Sequence, residues 1–129
     1  MKSKILAAFV IMLSVTLALP VNSSPEQIEV GALIERVIGG EEFSGKEIVV
    51  GGIALTRTSS GNDLLNIGTS ATYKSGAYLN FISVYDTSVA VKEGKYVLVR
   101  IQIETSMATK LGGKSVVLIE SAFLECLSC

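Results

Sequence analysis

Two cysteines form the motif in this chain whose spacing is most typical of redox or metal chemistry. The sequence Cys126-Leu127-Ser128-Cys129 is a C-x-x-C at the end of the 129 residues. A redox-active pair normally lies at a helix N-terminus, which lowers the thiol pKa, and no residues follow Cys129 to form that helix. A zinc site needs four ligands, and there is no second pair. We therefore expect a local disulfide between Cys126 and Cys129 in an oxidising compartment, with a disulfide to a partner protein as the alternative.

The composition argues against catalysis and against a resident cofactor. The chain has no histidine, which excludes a serine–histidine pair, a histidine metal site and haem ligation by histidine. It has no G-x-S-x-G and no H-E-x-x-H motif. The sequence Gly112-Gly113-Lys114-Ser115 lacks the earlier glycine and the following helix of a phosphate-binding loop. We expect a protein that is not an enzyme and that has no catalytic residue, no metal and no cofactor.

The first 23 residues have the pattern of a secretory signal peptide. Lys2 and Lys4 precede an uncharged apolar run over residues 5–19, which is short for a transmembrane helix. Cleavage near residues 18–24 leaves a domain of residues 24–129 with no membrane span, and we expect it to be exported, periplasmic or secreted. An uncleaved anchor is the alternative. Without the leader, 9 basic residues remain against 12 acidic ones, so the net charge is −3 and gives no overall attraction to nucleic acid.

The start of the exported domain is typical of an amphipathic helix. Ser24, Pro25 and Gln27 fit a capped helix start, and the glycine pair after residue 38 fits its end. We predict a helix over about residues 25–38 that packs on the domain, rather than one that binds a membrane or a partner. Its apolar stripe consists of Val30, Leu33, Ile34, Val37 and Ile38.

Five strands are predicted after the helix. Three of them begin with the same short pattern, in which a Gly-Lys pair precedes a β-branched run, at Gly45-Lys46, Gly94-Lys95 and Gly113-Lys114. The pair Gly51-Gly52 inside the first strand permits a bulge or a sharp bend. The first predicted strand follows Gly45-Lys46, and the remaining four lie at residues 64–69, 77–85, 96–104 and 115–124. Loops are expected at residues 57–63, 70–76, 86–93 and 105–114.

This pattern resembles the OB-fold, a five-stranded Greek-key barrel. The resemblance lies in the run from Gly45 to Val50, the glycine pair after it, the run from Glu93 to Val99 and the closing run from Val116 to Phe123. With the preceding helix, the chain is similar to small exported bacterial proteins with a tRNA-anticodon-type OB-fold. The expected fold class is therefore mainly β, an OB-like barrel with an N-terminal α-helix.

The resemblance implies where a ligand would bind. The ligand face of an OB-fold is formed by the second and third strands and the neighbouring loops. We therefore expect an exported binding module whose ligand is a protein or a small molecule. One alternative is single-stranded nucleic acid on the barrel face, and another is a structural subunit that assembles through the helix or the cysteines. The candidate ligand-binding residues are Arg57, Lys74, Tyr78, Asn80, Tyr85 and Lys110.

Overall fold

A computed structural model describes residues 24–60, 63–76 and 80–129. Within them the chain is mainly β, as predicted, but it has six strands rather than five, and two helices. The elements are β1 (Glu26–Glu29), α1 (Val30–Ile38), β2 (Glu47–Ala54), β3 (Asp63–Gly68), α2 (Ser70–Ser75), β4 (Ile82–Thr87), β5 (Tyr96–Leu111) and β6 (Lys114–Ser128).

The predicted start of the N-terminal helix is wrong. Residues 26–29 form β1, which pairs in parallel with β2, and Gln27 lies opposite Val49. The helix begins at Val30 and ends at Ile38, and its N-cap residue Glu29 has an extended backbone and no capping side-chain bond. The backbone hydrogen bonds of β1 therefore outweigh the local capping signal of Ser24, Pro25 and Gln27.

The strands form a mixed sheet in which the hydrogen bonds close into a ring. The sheet order is β1-β2-β3-β4-β6-β5, and β5 also pairs with β2. The β2–β3, β3–β4, β5–β6 and β2–β5 pairs are antiparallel, whereas β4–β6 is parallel. Because the ring has no gap between β5 and β2, its apolar side chains point into one shared interior.

Each of the three Gly-Lys pairs precedes a strand, as the sequence predicts, but the third lies in a different turn, because Gly112 also has a positive φ of 58°. Gly45, Gly94 and Gly113 have φ values of 84°, 86° and 81°. The Lys46 amide donates to the Phe43 carbonyl at 2.9 Å and the Lys95 amide to the Lys92 carbonyl at 3.2 Å. This is the hydrogen bond of a type II turn, whose third position requires positive φ and thus favours glycine.

The Gly51-Gly52 pair lies where β2 changes partners. Residues up to Gly51 pair with β1, and Ile53 and Ala54 pair with β3, while β5 follows β2 along its other side. A Cβ atom on Gly52 would lie 2.6 Å from the Ile67 side chain and 2.8 Å from that of Val30. The glycines are needed here for close packing, since no bulge is recorded in β2.

Aliphatic side chains from the ring and from α1 form one core. The predicted stripe of α1 packs into it through Val30, Leu33, Ile34 and Val37, whereas Ile38 is 37% exposed. Fully buried residues come from every strand of the ring, and include Val50, Leu65, Val84, Ile101 and Ile119. Burial of each such side chain contributes about 1.5–3 kcal/mol.

Three predicted boundaries differ from the structure. Residues 70–75 form helix α2, capped by Thr69, in place of a loop. Strand β4 ends at Thr87 rather than at residue 85; part of the predicted strand, residues 77–79, lies outside the described residues. The expected loop at 105–114 is instead the end of β5, a tight turn at Gly112-Gly113 and the start of β6. The β5–β6 hairpin is thus much longer than predicted.

Candidate functional site

An open cleft of about 560 Å³ lies between the loop after β2 and the loop before β5. Thr58 and Val91 form an isolated antiparallel bridge that ties these loops together. The Thr58 amide donates to the Val91 carbonyl at 3.0 Å, and the Val91 amide donates to the Thr58 hydroxyl at 2.9 Å. We call this the cationic cleft; its lining residues are Arg57, Thr58, Ala90, Val91, Lys92, Glu93, Lys95 and Cys129.

The cleft carries an excess of positive charge. Arg57 and Lys92 are exposed, and neither makes an ion pair or a side-chain hydrogen bond within the described part of the chain. Lys95 donates from its ammonium to the carbonyl of Cys129. Glu93 is the one acidic side chain of the lining. Three cationic side chains and one acidic side chain therefore line the cleft, although the whole chain has a net charge of −1.

The disulfide closes one side of the cleft. The sulfur atoms of Cys126 and Cys129 lie at bonding distance, with Cα atoms 6.1 Å apart, so the expected local disulfide is supported by the geometry. Cys126 lies opposite Val99 of β5, and both cysteines pack against the core. Cys129 also lines the cleft, and its carbonyl holds Lys95. The tail therefore acts as a fixed wall and orients one of the three cations.

An aromatic side chain adjoins the cationic cleft. A second open space of about 440 Å³ is lined by Tyr73 and shares Lys92, Glu93 and Lys95 with the first. Helix α2 presents Tyr73, and its hydroxyl lies close to the Cα of Gly94, since a Cβ there would be 2.6 Å from it. A half-buried tyrosine next to lysines can stack on a planar group while the cations bind an anionic one.

The other two arginines of the described chain are fully engaged. Arg36 pairs with Glu26 at 2.6 Å and with Glu41 at 2.5 Å. The hydrogen bonds to Glu41 and then Glu26 raise the pKa of the Arg36 guanidinium, and the same contact lowers the pKa of Glu41. Arg100 pairs with Glu47 and, at 3.3 Å, with Glu125, and these contacts raise its pKa. Among the arginines of the described residues, Arg57 is therefore the one without a carboxylate partner.

The structure brings two of the predicted ligand residues to this region. Arg57 lines the cationic cleft. Lys74 follows Tyr73 on α2 and is exposed there. Tyr78 lies outside the described residues.

The other three predicted ligand residues lie elsewhere. The Asn80 amide spans the edge of β6, accepting from the Val117 amide at 3.1 Å and donating to the Ser115 carbonyl at 3.4 Å. The Tyr85 hydroxyl donates to Glu120 at 2.9 Å, and this bond raises the pKa of Tyr85. Lys110 pairs with Ser115 near the hairpin turn, whereas the cleft adjoins the opposite end of β5. Asn80 and Tyr85 thus stabilise β4–β6 contacts, and Lys110 is not part of the cleft.

Sequence reasoning missed Tyr73, Lys92 and Lys95. Residues 70–76 were expected to form a loop and 86–93 another, so nothing assigned these side chains to one surface. One signal was available, because the repeated Gly-Lys pattern already placed Lys95 at the start of a strand, with Lys92 three residues earlier. Such a turn exposes the side chains that flank its glycine.

Comparison with protein-family models, with curated proteins and with solved structures found no match for this chain. Within residues 24–60, 63–76 and 80–129, no helix is long and apolar enough to cross a membrane. No group of three or more metal-binding side chains was found in these same ranges.

Proposed function

We propose that this chain is an exported binding module, without catalytic activity, that holds the anionic group of a protein or small-molecule ligand in the cationic cleft. The observation that carries the proposal is the pair of unpartnered cations, Arg57 and Lys92, beside the oriented Lys95. A carboxylate or phosphate that pairs with such exposed cations gains about 0.2–1 kcal/mol per pair. A protein ligand and a small-molecule ligand would both bind through such an anionic group.

We propose further that the ring of strands is an OB-type barrel. Its support is the pairing order β2-β3-β4-β6-β5, which returns to β2 and includes the parallel β4–β6 pair. The OB-fold is a five-stranded Greek-key barrel, in which strands that are not consecutive in sequence lie side by side. On this proposal β1 and α1 are additions that cover the barrel from one side. Loops at the rim of a rigid barrel are common positions for binding residues.

The proposal is tested by titrating the uniformly ¹⁵N-labelled protein with phenyl phosphate and with benzoate, and by following backbone amides by NMR. We expect the amides of Thr58 and residues 91–95 to shift, because they frame the cleft. Benzamide, which has the same ring and no charge, should cause no saturable shift. Failure of both anions to move these amides would refute the cleft as the binding site.

A matched pair of variants removes the alternative of nonspecific charge attraction. Arg57→Gln combined with Lys92→Gln should weaken binding by about three- to thirtyfold, since it removes two exposed ion pairs. Lys110→Gln combined with Lys114→Gln removes the same number of charges at the β5–β6 turn. That control should change the dissociation constant less than about twofold. Equal losses in both double variants would contradict the proposal.

Single-stranded nucleic acid is the second candidate ligand. The observation that favours it is the position of Tyr73 beside Lys92 and Lys95, since base stacking next to cations is typical of such sites. Fluorescence anisotropy of a labelled oligonucleotide should then show binding that weakens with salt. Tyr73→Leu should reduce affinity, whereas Tyr85→Leu, on the β4–β6 surface, should not. An absence of binding at low salt would remove this candidate and leave the first intact.

A further inference from the structure

Strand β5 has an open edge along its second half. Its pairing with β2 ends at Gln102, and the last backbone bonds on that side join Ile103 to Gly45 and Lys46, each at 2.8 Å. From Thr105 to Leu111, β5 pairs with β6 alone within the described residues, and Glu104 lies in the register shift just before this segment. The unpaired backbone groups of an edge strand readily accept another strand.

A groove runs beside this edge. It has a volume of about 270 Å³ and lies between the end of α1, residues 40–42, and residues 106–108 of β5. Ser106 is 8% exposed, and its hydroxyl has no hydrogen-bond partner among the described residues. The adjacent Met107 is 54% exposed. A buried hydroxyl without a partner is uncommon in native proteins, and a strand seated here would bring backbone polar groups to it.

The edge is complementary to itself in one antiparallel register. When Met107 of one chain lies opposite Met107 of another, Glu104 of each chain lies opposite Lys110 of the other. Thr105 then faces Thr109, and Ser106 faces Ala108. Glu104 and Lys110 are both exposed, and neither has an ion-pair partner in the part of the chain that the structure describes. Opposite charges in directly facing positions stabilise a strand pair.

We propose that residues 104–110 of β5 pair with the same residues of a second copy of this chain, forming a two-fold symmetric dimer. The strand that pairs with this edge belongs to a second copy, because two-fold symmetry places Glu104 opposite Lys110 at both ends of the contact. The contact stops at Ile103, where Gly45 and Lys46 already occupy the edge. This dimer leaves the cationic cleft free, since the cleft adjoins the opposite end of β5. The inference therefore does not depend on the proposed ligand.

Sedimentation equilibrium of the purified protein tests the dimer. The wild-type chain should show the mass of two chains, both with and without a thiol reductant. Glu104→Lys places two lysines opposite each other at both ends of the contact, and Lys110→Glu places two glutamates there. Each single reversal should weaken association about tenfold or more. The double variant Glu104→Lys with Lys110→Glu restores opposite charges and should restore association to within a few-fold of wild type.

Three results would overturn the proposal. One is a wild-type protein that stays monomeric at every concentration. Another is a dimer that dissociates on reduction, which would assign it to cysteines that link two chains. The third is a double charge swap that stays as weak as the single reversals. Lys114→Glu, on the adjacent strand of the same hairpin, is the control and should leave association unchanged. Circular dichroism confirms that each variant is folded, and the three substituted side chains, Glu104, Lys110 and Lys114, are exposed.

Discussion

Two regions of the molecule use cationic side chains differently. One is the region where β1, β2 and β5 meet, and the other is the cationic cleft. In the first region Arg36 and Arg100 each bind two carboxylates, and Tyr96 donates to Glu29 at 2.5 Å. In the second, Arg57 and Lys92 bind none within the described chain. A cation whose charge is satisfied holds strands together. In our proposal, a cation left in solvent beside two tied loops binds the ligand instead.

The largest expected effect tests how tightly β2 packs against β3 and the start of α1. Gly52→Val should destabilise the fold by about 3 kcal/mol, because its side chain would collide with Ile67, Val30 and the Gly68 carbonyl. Gly39→Ala is the control, since its Cβ would meet only atoms 3.5 Å away, and it should change stability by less than about 1 kcal/mol. Urea unfolding measures both. Equal stabilities would show that the close approach at Gly52 does not restrict side-chain size.

A smaller loss of stability is expected when the disulfide beside the cleft is removed. The Cys126–Cys129 disulfide closes a very short loop, so loop-closure entropy gives it at most about 2 kcal/mol. Cys126→Ser with Cys129→Ser should reduce the free energy of unfolding by no more than this amount. The amide of Lys95 should shift in the NMR spectrum, because its side chain binds the Cys129 carbonyl. Unchanged cleft amides would show that the tail does not orient Lys95.

The pH dependence of stability in acid should differ between a variant of a paired cation and a variant of an unpaired one. Glu41 has its pKa lowered from 4.5, chiefly by the hydrogen bond from Arg36. A lowered folded-state pKa contributes stability that is present above the unfolded value and is lost as pH falls through the folded one. Arg36→Gln should therefore flatten the fall in stability below about pH 4.5.

Arg57→Gln is the matched control for this acid titration. It removes an equally cationic side chain that has no carboxylate partner among the described residues. Its stability should follow the wild-type pH curve, measured as urea midpoints at a series of pH values. A curve that flattens as much as that of Arg36→Gln would mean that Arg57 also has a carboxylate partner in solution.

The smallest expected effect appears at high pH. Tyr96 and Tyr85 donate to Glu29 and Glu120, and these bonds raise the pKa of both phenols above 10.0. A raised folded-state pKa contributes stability that is present below the unfolded value and is lost as pH rises through the folded one. The phenolate absorbance should thus include a late-titrating fraction. Tyr96→Phe with Tyr85→Phe should remove that fraction, and its persistence would contradict these hydrogen bonds.

Two errors of the sequence-based prediction come from backbone hydrogen-bond partners on another strand. Ser24, Pro25 and Gln27 have good helix-start chemistry, yet residues 26–29 are extended because β2 offers them backbone hydrogen bonds. The loop expected at residues 105–114 is a strand because each residue finds a partner across the Gly112-Gly113 turn. Local propensity cannot register either partner.

What the sequence by itself determined is the local chemistry: the β-branched runs, the glycine turns that begin them, the apolar stripe of α1 and the spacing of the two cysteines. These follow from the residues in a short window, because turn geometry and periodicity are local properties. Only the tertiary structure decided which cations share a surface. Arg57 and Lys92 are distant in sequence, and the Thr58–Val91 bridge and the Ala54 hydrogen bonds to Gly94 and Lys95 set their loops side by side. The ring closure likewise decided that β5 has one paired half and one open half.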